Sequence, residues 1–236
     1  MKYSLCDRHK SSRLVREVGF LLVTGVVRCV PGDRQWGVDS TRLPCAAVLL
    51  AAGAGSRFTG PGHKLLAPFR GSTVFGTSLA AVSSAGFDVV IVVTGAADLS
   101  DEPGLRAPGT GSTRVETVHN DHWAAGQSGS LHRALERARE LGFGCVVVGL
   151  ADQPMVTTSA WRMVAEASAT PIAVATYDGR RGNPVRLHES IWDRLPRTGD
   201  IGARDLIRLH PELVSQVACE GSEADIDTHE DLDTWT

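Results

Sequence analysis

The sequence predicts an α/β fold of the Rossmann-like, doubly wound kind, with a mostly parallel sheet in a single domain. Three observations carry the prediction. Short runs are apolar at almost every position, at 46–50, 89–93 and 145–150, as suits strands buried between two helix layers. Segments with helical spacing alternate with those runs. Loops rich in small residues follow the strands, where folds of this class bind their ligands at the carboxyl ends of the sheet.

The elements follow in order. Ala46-Ala47-Val48-Leu49-Leu50 is the first strand. Residues 72–86 read as a helix, with Val74, Phe75, Leu79 and Val82 on one face and Gly86 as the stop. Val89-Val90-Ile91-Val92-Val93 is the clearest strand, and the stretch 99–112, rich in Pro, Gly and Ser, reads as loop. A third strand is predicted at 115–119. A helix follows at 128–141, capped by Ser128 or Ser130 and ended by Gly142. Then come a strand at 145–150, a helix at 157–167 capped by Thr157, and a strand at 172–177. A helix from Ile201 to Leu209, a strand at 213–218 and a short helix begun by Thr228 complete the pattern.

The totals bound the rest. The chain has 236 residues, 42% hydrophobic and 22% charged, so it can bury a core without covalent staples. A net charge of -3 supplies no global positive field for nucleic acid or an anionic membrane. The five cysteines, Cys6, Cys29, Cys45, Cys145 and Cys219, are odd in number, widely spaced and without a C-x-x-C pair. No disulfide framework or zinc site is expected from them; Cys145 reads as a buried small hydrophobe, and a reducing cytoplasmic setting fits. Lys2, Arg8, Lys10, Arg13 and Arg16 precede an apolar stretch at 19–27, an outline that imitates a secretory signal. That stretch is too short to span a bilayer, Thr24 and Gly25 interrupt it, and no A-x-A-like site follows. Residues 1–43 are therefore read as a poorly ordered extension or an upstream start, and 44–236 as the domain.

Three segments carry the chemistry. The first is the loop Leu50-Ala51-Ala52-Gly53-Ala54-Gly55-Ser56, followed by Arg57 and, after a turn, His63-Lys64-Leu65-Leu66. Backbone N–H groups of such a loop can close around phosphate oxygens, and Arg57 and Lys64 add positive charge. The pattern is neither a Walker loop nor G-x-G-x-x-G, since Phe58 stands where a third glycine would be. The second is Leu150-Ala151-Asp152-Gln153-Pro154, which puts a carboxylate just past a buried strand, where it could hold Mg²⁺ together with phosphate oxygens. The third is Asp225-Ile226-Asp227, whose alternation sends both carboxylates to one face of an extended segment. The histidines form no helical metal pair; His119 and His122 read as solvated loop residues.

Together these segments resemble the MobA-like nucleotidyltransferases, and most closely their molybdenum cofactor cytidylyltransferase branch. The match extends, in order, through Ala85-Gly86-Phe87-Asp88, Gly126-Gln127-Ser128-Gly129-Ser130-Leu131, Arg181-Gly182-Asn183-Pro184-Val185 and Gly199-Asp200-Ile201-Gly202-Ala203-Arg204. It ends at Asp225-Ile226-Asp227-Thr228-His229-Glu230-Asp231-Leu232 and excludes the first residues of the chain. Gln127, where the family usually has Met, and His229, where it usually has Pro, depart from the pattern.

The resemblance implies a nucleotide-diphospho-sugar transferase-like fold. It also implies attack by an acceptor phosphate oxygen on the α-phosphorus of an NTP, with pyrophosphate leaving. Lys64, Arg57 and Asp152 would be the catalytic set. Leu50 to Ser56 would cradle the nucleotide, with Thr94, Gly129, Ser130 and Asn183 completing the binding surface. Asp152, Asp227 and Asp225 would hold Mg²⁺. Ala51-Ala52-Gly53 resembles the cytidylyl rather than the guanylyl branch, which favours CTP. The acceptor would be molybdopterin or its metal-loaded form, bound near Gly182-Asn183-Pro184 and Gly202-Ala203-Arg204, with transient contact to a molybdoenzyme. An NAD(P)H-dependent oxidoreductase on the same scaffold, a non-catalytic delivery module, and transfer to a sugar or alcohol phosphate are the alternatives.

Overall fold

A computed structural model describes residues 45–59, 62–106, 113–200 and 202–235. The predicted extension over 1–43 and the helix start at Ile201 lie outside the described residues.

The first strand, β1 (Ala46–Ala51), is buried throughout. A hairpin of β2 (Pro68–Phe69) and β3 (Ser72–Thr73) leads into α1 (Val74–Ser83). The helix thus begins two residues later than its periodicity suggests, because Thr73 is its cap and accepts from the Gly76 N–H. Next come β4 (Val89–Thr94), a short α2 (Pro103–Arg106) inside the stretch read as loop, and β5 (Arg114–His119). Then α3 (Gln127–Glu140), β6 (Cys145–Leu150), α4 (Thr158–Glu166) and β7 (Ile172–Tyr177) follow. The chain continues through β8 (Arg180–His188), α5 (Arg204–Leu209), β9 (Val214–Ala218) and α6 (His229–Trp235).

Among the described residues, seven strands form one sheet in the order β5-β4-β1-β6-β8-β7-β9, and of these β8 alone runs against the others. The mostly parallel, doubly wound fold is therefore as predicted. Alternate residues of β1 divide between the two faces. Ala47 and Leu49 pack with Phe75 and Leu79 of α1 and Trp161 of α4, while Val48 and Leu50 pack with Leu131 and Leu135 of α3 and Ile207 of α5. Gly149 leaves room for the Trp161 ring of α4 against the sheet, since a Cβ there would lie 2.5 Å from it.

Three expectations are corrected. The serines predicted to cap α3 do not; Gly126 begins it. The Ser128 hydroxyl accepts from the Gly202 N–H and the Ser130 hydroxyl from Asn120 Nδ2, so both hold tertiary contacts. Strand β8 was not foreseen, because Arg180-Arg181-Gly182-Asn183-Pro184 has no apolar run. Its pairing with β7 shifts register between Val174 and Ala175, and Pro184, which has no N–H to donate, stands at that irregularity.

The third correction concerns the cysteines, since Cys45 and Cys145 are joined as a disulfide with their Cα atoms 4.6 Å apart. Wide spacing in sequence did not forbid it. The parallel ladder sets Ala46 opposite Val146, which brings the preceding residues side by side. Cys145 is buried as expected, but the cysteine pattern no longer argues for a reducing compartment.

Candidate active site

The loop after β1 turns at Gly55, which has a positive φ of 62° and whose carbonyl accepts from the Phe58 N–H. It forms one wall of a cavity of about 320 Å³ at the carboxyl ends of β1 and β6. Leu50, Ala51, Gly53, Gly55 and Ser56 line that wall; Arg57, Lys64, Asp152, Asp200 and Asp227 supply the charge. Ala52 and Ala54 belong to the loop but not to the lining. The Ala52 carbonyl instead accepts from the Ala96 N–H and ties the loop to the end of β4.

Lys64 opens a single 3-10 turn (Lys64–Leu66) and is only 8% exposed. A lysine so buried has to be paired. Its Nζ donates to Asp152 Oδ2 at 2.6 Å and to Asp227 Oδ1 at 2.7 Å. Arg57 Nη1 lies 2.7 Å from the other Asp227 oxygen. Burial disfavours the Lys64 charge, but Asp152 and Asp227 outweigh it and raise the ammonium above its ordinary pKa. Asp152 Oδ1 is buried with no hydrogen-bond partner. An orphaned carboxylate oxygen beside a cavity of charged side chains is costly unless something binds there.

The loop 223–227 reaches the site by stitching itself to the end of β6. The Ile226 N–H donates to the Asp152 carbonyl at 2.8 Å. Gln153, which sequence reasoning passed over, makes the other stitches. Its Nε2 donates to Asp225 Oδ1 at 2.7 Å and to the Glu223 carbonyl at 2.8 Å, while its Oε1 accepts from Asn183 Nδ2 at 3.0 Å. Asp225 therefore stands behind the cavity, engaged by an amide. Burial first, and then the charge of Asp152, raise its carboxyl above the usual range.

The other predicted binding residues lie apart from the cavity. Thr94 lines a separate depression, where its hydroxyl meets His119 Nδ1 at 3.1 Å. Ser130 is buried under Asn120, and Gly129 sits beside it in the first turn of α3. Asn183 lines a smaller cavity of about 70 Å³ that adjoins the first at Leu50. Gln127, Gly202, Ala203 and Arg204 share that second cavity, so the two segments assigned by resemblance to the acceptor meet in one place. Asp200, not singled out from sequence, lines the first cavity and accepts from the Gln127 N–H.

Among the described residues, no group of three or more His, Cys, Asp or Glu is placed to hold a metal ion. The carboxylates of Asp152 and Asp227, both bonded to Lys64, and that of Asp200 bring oxygen donors to the cavity. No described helix is long and apolar enough to cross a membrane.

Known proteins resemble this chain in sequence and in fold. The MobA-like NTP transferase domain matches residues 47–217. Nicotine blue oxidoreductase from Paenarthrobacter nicotinovorans is 32% identical over 214 residues, covering 84% of this chain and 96% of that protein. A nucleotidyl transferase from Methanothermobacter superposes with a TM-score of 0.66 at 26% identity, over 81% of this chain and 97% of that one. Rv0371c from Mycobacterium tuberculosis gives 0.67 at 30% identity, over 83% and 98%. The same protein in complex with manganese gives 0.64 at 29% identity, over 81% and 97%.

Proposed function

The chain belongs to the MobA-like NTP transferase family, and from that premise we propose that it moves CMP from CTP to the phosphate of molybdopterin or its metal-loaded form, releasing pyrophosphate. One observation carries the reading: a buried lysine held between two carboxylates from distant segments, at the mouth of a loop of small residues.

The chain's own groups divide the work. The loop 52–56 encloses the triphosphate with backbone N–H donors, and Ser56 adds a hydroxyl. Lys64 and Arg57 neutralise charge as pyrophosphate departs. Because Asp152 and Asp227 already fix Lys64 Nζ, that charge is positioned before substrate arrives, and little reorganisation accompanies the reaction. No protein nucleophile is needed, since the acceptor's own phosphate oxygen attacks. Gln127, Asn183 and Arg204 orient the acceptor in the second cavity.

A divalent cation fits the donor set, since Asp152 Oδ1 is without a partner and both carboxylates offer hard oxygen ligands. Asp152 and Asp227 would hold Mg²⁺, which would offset negative charge on the phosphates. Asp225 supports the pair through Gln153. The manganese complex of Rv0371c supports a divalent metal of this kind.

A second reading rests on the relative named nicotine blue oxidoreductase, because a shared scaffold does not fix chemistry. On that reading the same loop would hold the pyrophosphate of NAD(P)H. A thermal-shift panel with CTP, GTP, ATP, UTP, NADH and NADPH, each with and without Mg²⁺, separates the two. A ligand at a hundred times its Kd adds about 2.7 kcal/mol, or roughly 5–10 °C here. A Mg²⁺-dependent shift with CTP is the expected result. A shift with NADH or NADPH alone would replace the transferase by the oxidoreductase, and a shift with GTP alone would replace the base.

A further inference from the structure

The loop after β1 has a front and a back. Gly53, Gly55 and Ser56 face the cavity together with Lys64. His63 is not part of the cavity lining and holds the loop from elsewhere. Its Nε2 lies 3.0 Å from the Gly53 carbonyl, and its Nδ1 accepts from the Leu65 N–H at 3.2 Å. A backbone N–H can only donate, so Nδ1 carries no proton. In the neutral ring the hydrogen then sits on Nε2, where a carbonyl oxygen accepts it.

The direction of that bond fixes the direction of others. Among the described residues only the Asn183–Pro184 peptide is cis, so the peptide between Gly53 and Ala54 is trans. In a planar trans peptide the C=O and the following N–H point opposite ways. With the Gly53 carbonyl turned to His63, the Ala54 N–H is turned away from it. Packing leaves little play, since a Cβ on Gly55 would lie 3.2 Å from His63 Nε2 and 3.1 Å from Lys64 Cγ.

We propose that His63 is a positioning residue, a latch that draws the Gly53 carbonyl to its own side and so turns the next backbone N–H, that of Ala54, toward a polyphosphate. This rests on the nucleotide reading above. Backbone N–H donors gathered in a turn make an anion-binding concavity, and the direction of each peptide decides whether its N–H takes part. The same ring caps the turn that carries Lys64, so a single side chain couples the backbone half of the site to the charged half.

The cap and the latch can be tested apart in the full chain. In His63→Asn a shorter side chain can still accept from the Leu65 N–H as an N-cap, but it falls short of Gly53. His63→Gln is long enough to offer an N–H to Gly53. Calorimetric titration with inorganic tripolyphosphate, CTP and CMP, beside unliganded melting curves, reads both roles. The expected result is that H63N melts close to wild type and binds tripolyphosphate and CTP about three- to tenfold more weakly, the weight of one neutral hydrogen bond. CMP affinity stays unchanged and H63Q recovers part of the loss. Equal CTP and tripolyphosphate affinity in wild type and H63N would overturn the latch while leaving the nucleotide site standing. So would an equal loss for CMP and CTP, which marks general loosening. If H63N fails to fold, H63Q carries the test: CTP affinity no better than in His63→Ala overturns the latch. No binding of CTP or tripolyphosphate by wild type would overturn the nucleotide reading and the latch with it.

Discussion

At the scale of single residues, the site depends on charges held ready by one another. Lys64→Ala and Asp152→Ala are each expected to cut turnover by about 10²–10³, the usual cost of losing one preorganised charged group. Activity within about threefold of wild type would remove that residue from the reaction. A second expectation concerns acid. Burial lowers the His63 imidazole below its ordinary 6.5; the Gly53 carbonyl opposes this in part, and the Lys64 charge adds to it. The unfolded chain therefore takes up this proton before the folded one does. The contribution of His63 to stability is complete above about pH 6.5 and is lost as pH falls through the lower folded value. Urea midpoints measured between pH 7 and 5 should fall more steeply for wild type than for His63→Asn, and parallel slopes would contradict the assignment. Asp152 was legible as a carboxylate just past an apolar run, Asp227 by its alternation with Asp225 and Lys64 as a cation following the small-residue loop, and the structure brings the three together. Gln153 was not, and His63 was read as a phosphate contact or a loop residue rather than as a brace, because the bonds both make are two-sided, which no spacing announces.

At the scale of elements, strands apolar on both faces were easy to read and polar ones were not. The β1, β4, β6 and β7 runs stand out as Val, Ile, Leu and Ala. In β8 the sheet takes in arginines, a glycine and a proline that look like loop. Helix starts divided in the same way. Thr157 caps α4 through the Ala160 N–H, and Thr228 accepts from the Asp231 N–H before α6, both as read from sequence. The start of α3 was misread, because its serines serve neighbours in space rather than their own helix. Thr157→Ala should therefore cost about 1 kcal/mol, seen as a lower melting temperature with CTP affinity intact. A changed affinity would mean that α4 bears on the site more directly than its position suggests.

At the scale of the whole molecule, the disulfide closes a loop of 100 residues between strands at the centre of the sheet. Links of that span stabilise by roughly 2–5 kcal/mol, which is about 5–15 °C for a chain of this size. Melting curves with and without a strong reductant, or for Cys45→Ser, should differ by that amount, and coincident curves would show that the pair is not joined in solution. The central place of β1 has another consequence, one that concerns time. Its first neighbour, β4, lies within the next few dozen residues, but its other neighbour, β6, ends only at Leu150. A ribosome adding about 5–20 residues per second needs roughly 5–20 s to make the stretch between β1 and β6. For that interval an Ala-Val-Leu-Leu edge waits on the nascent chain without its second partner, where a strand from another chain, or a chaperone, can reach it first.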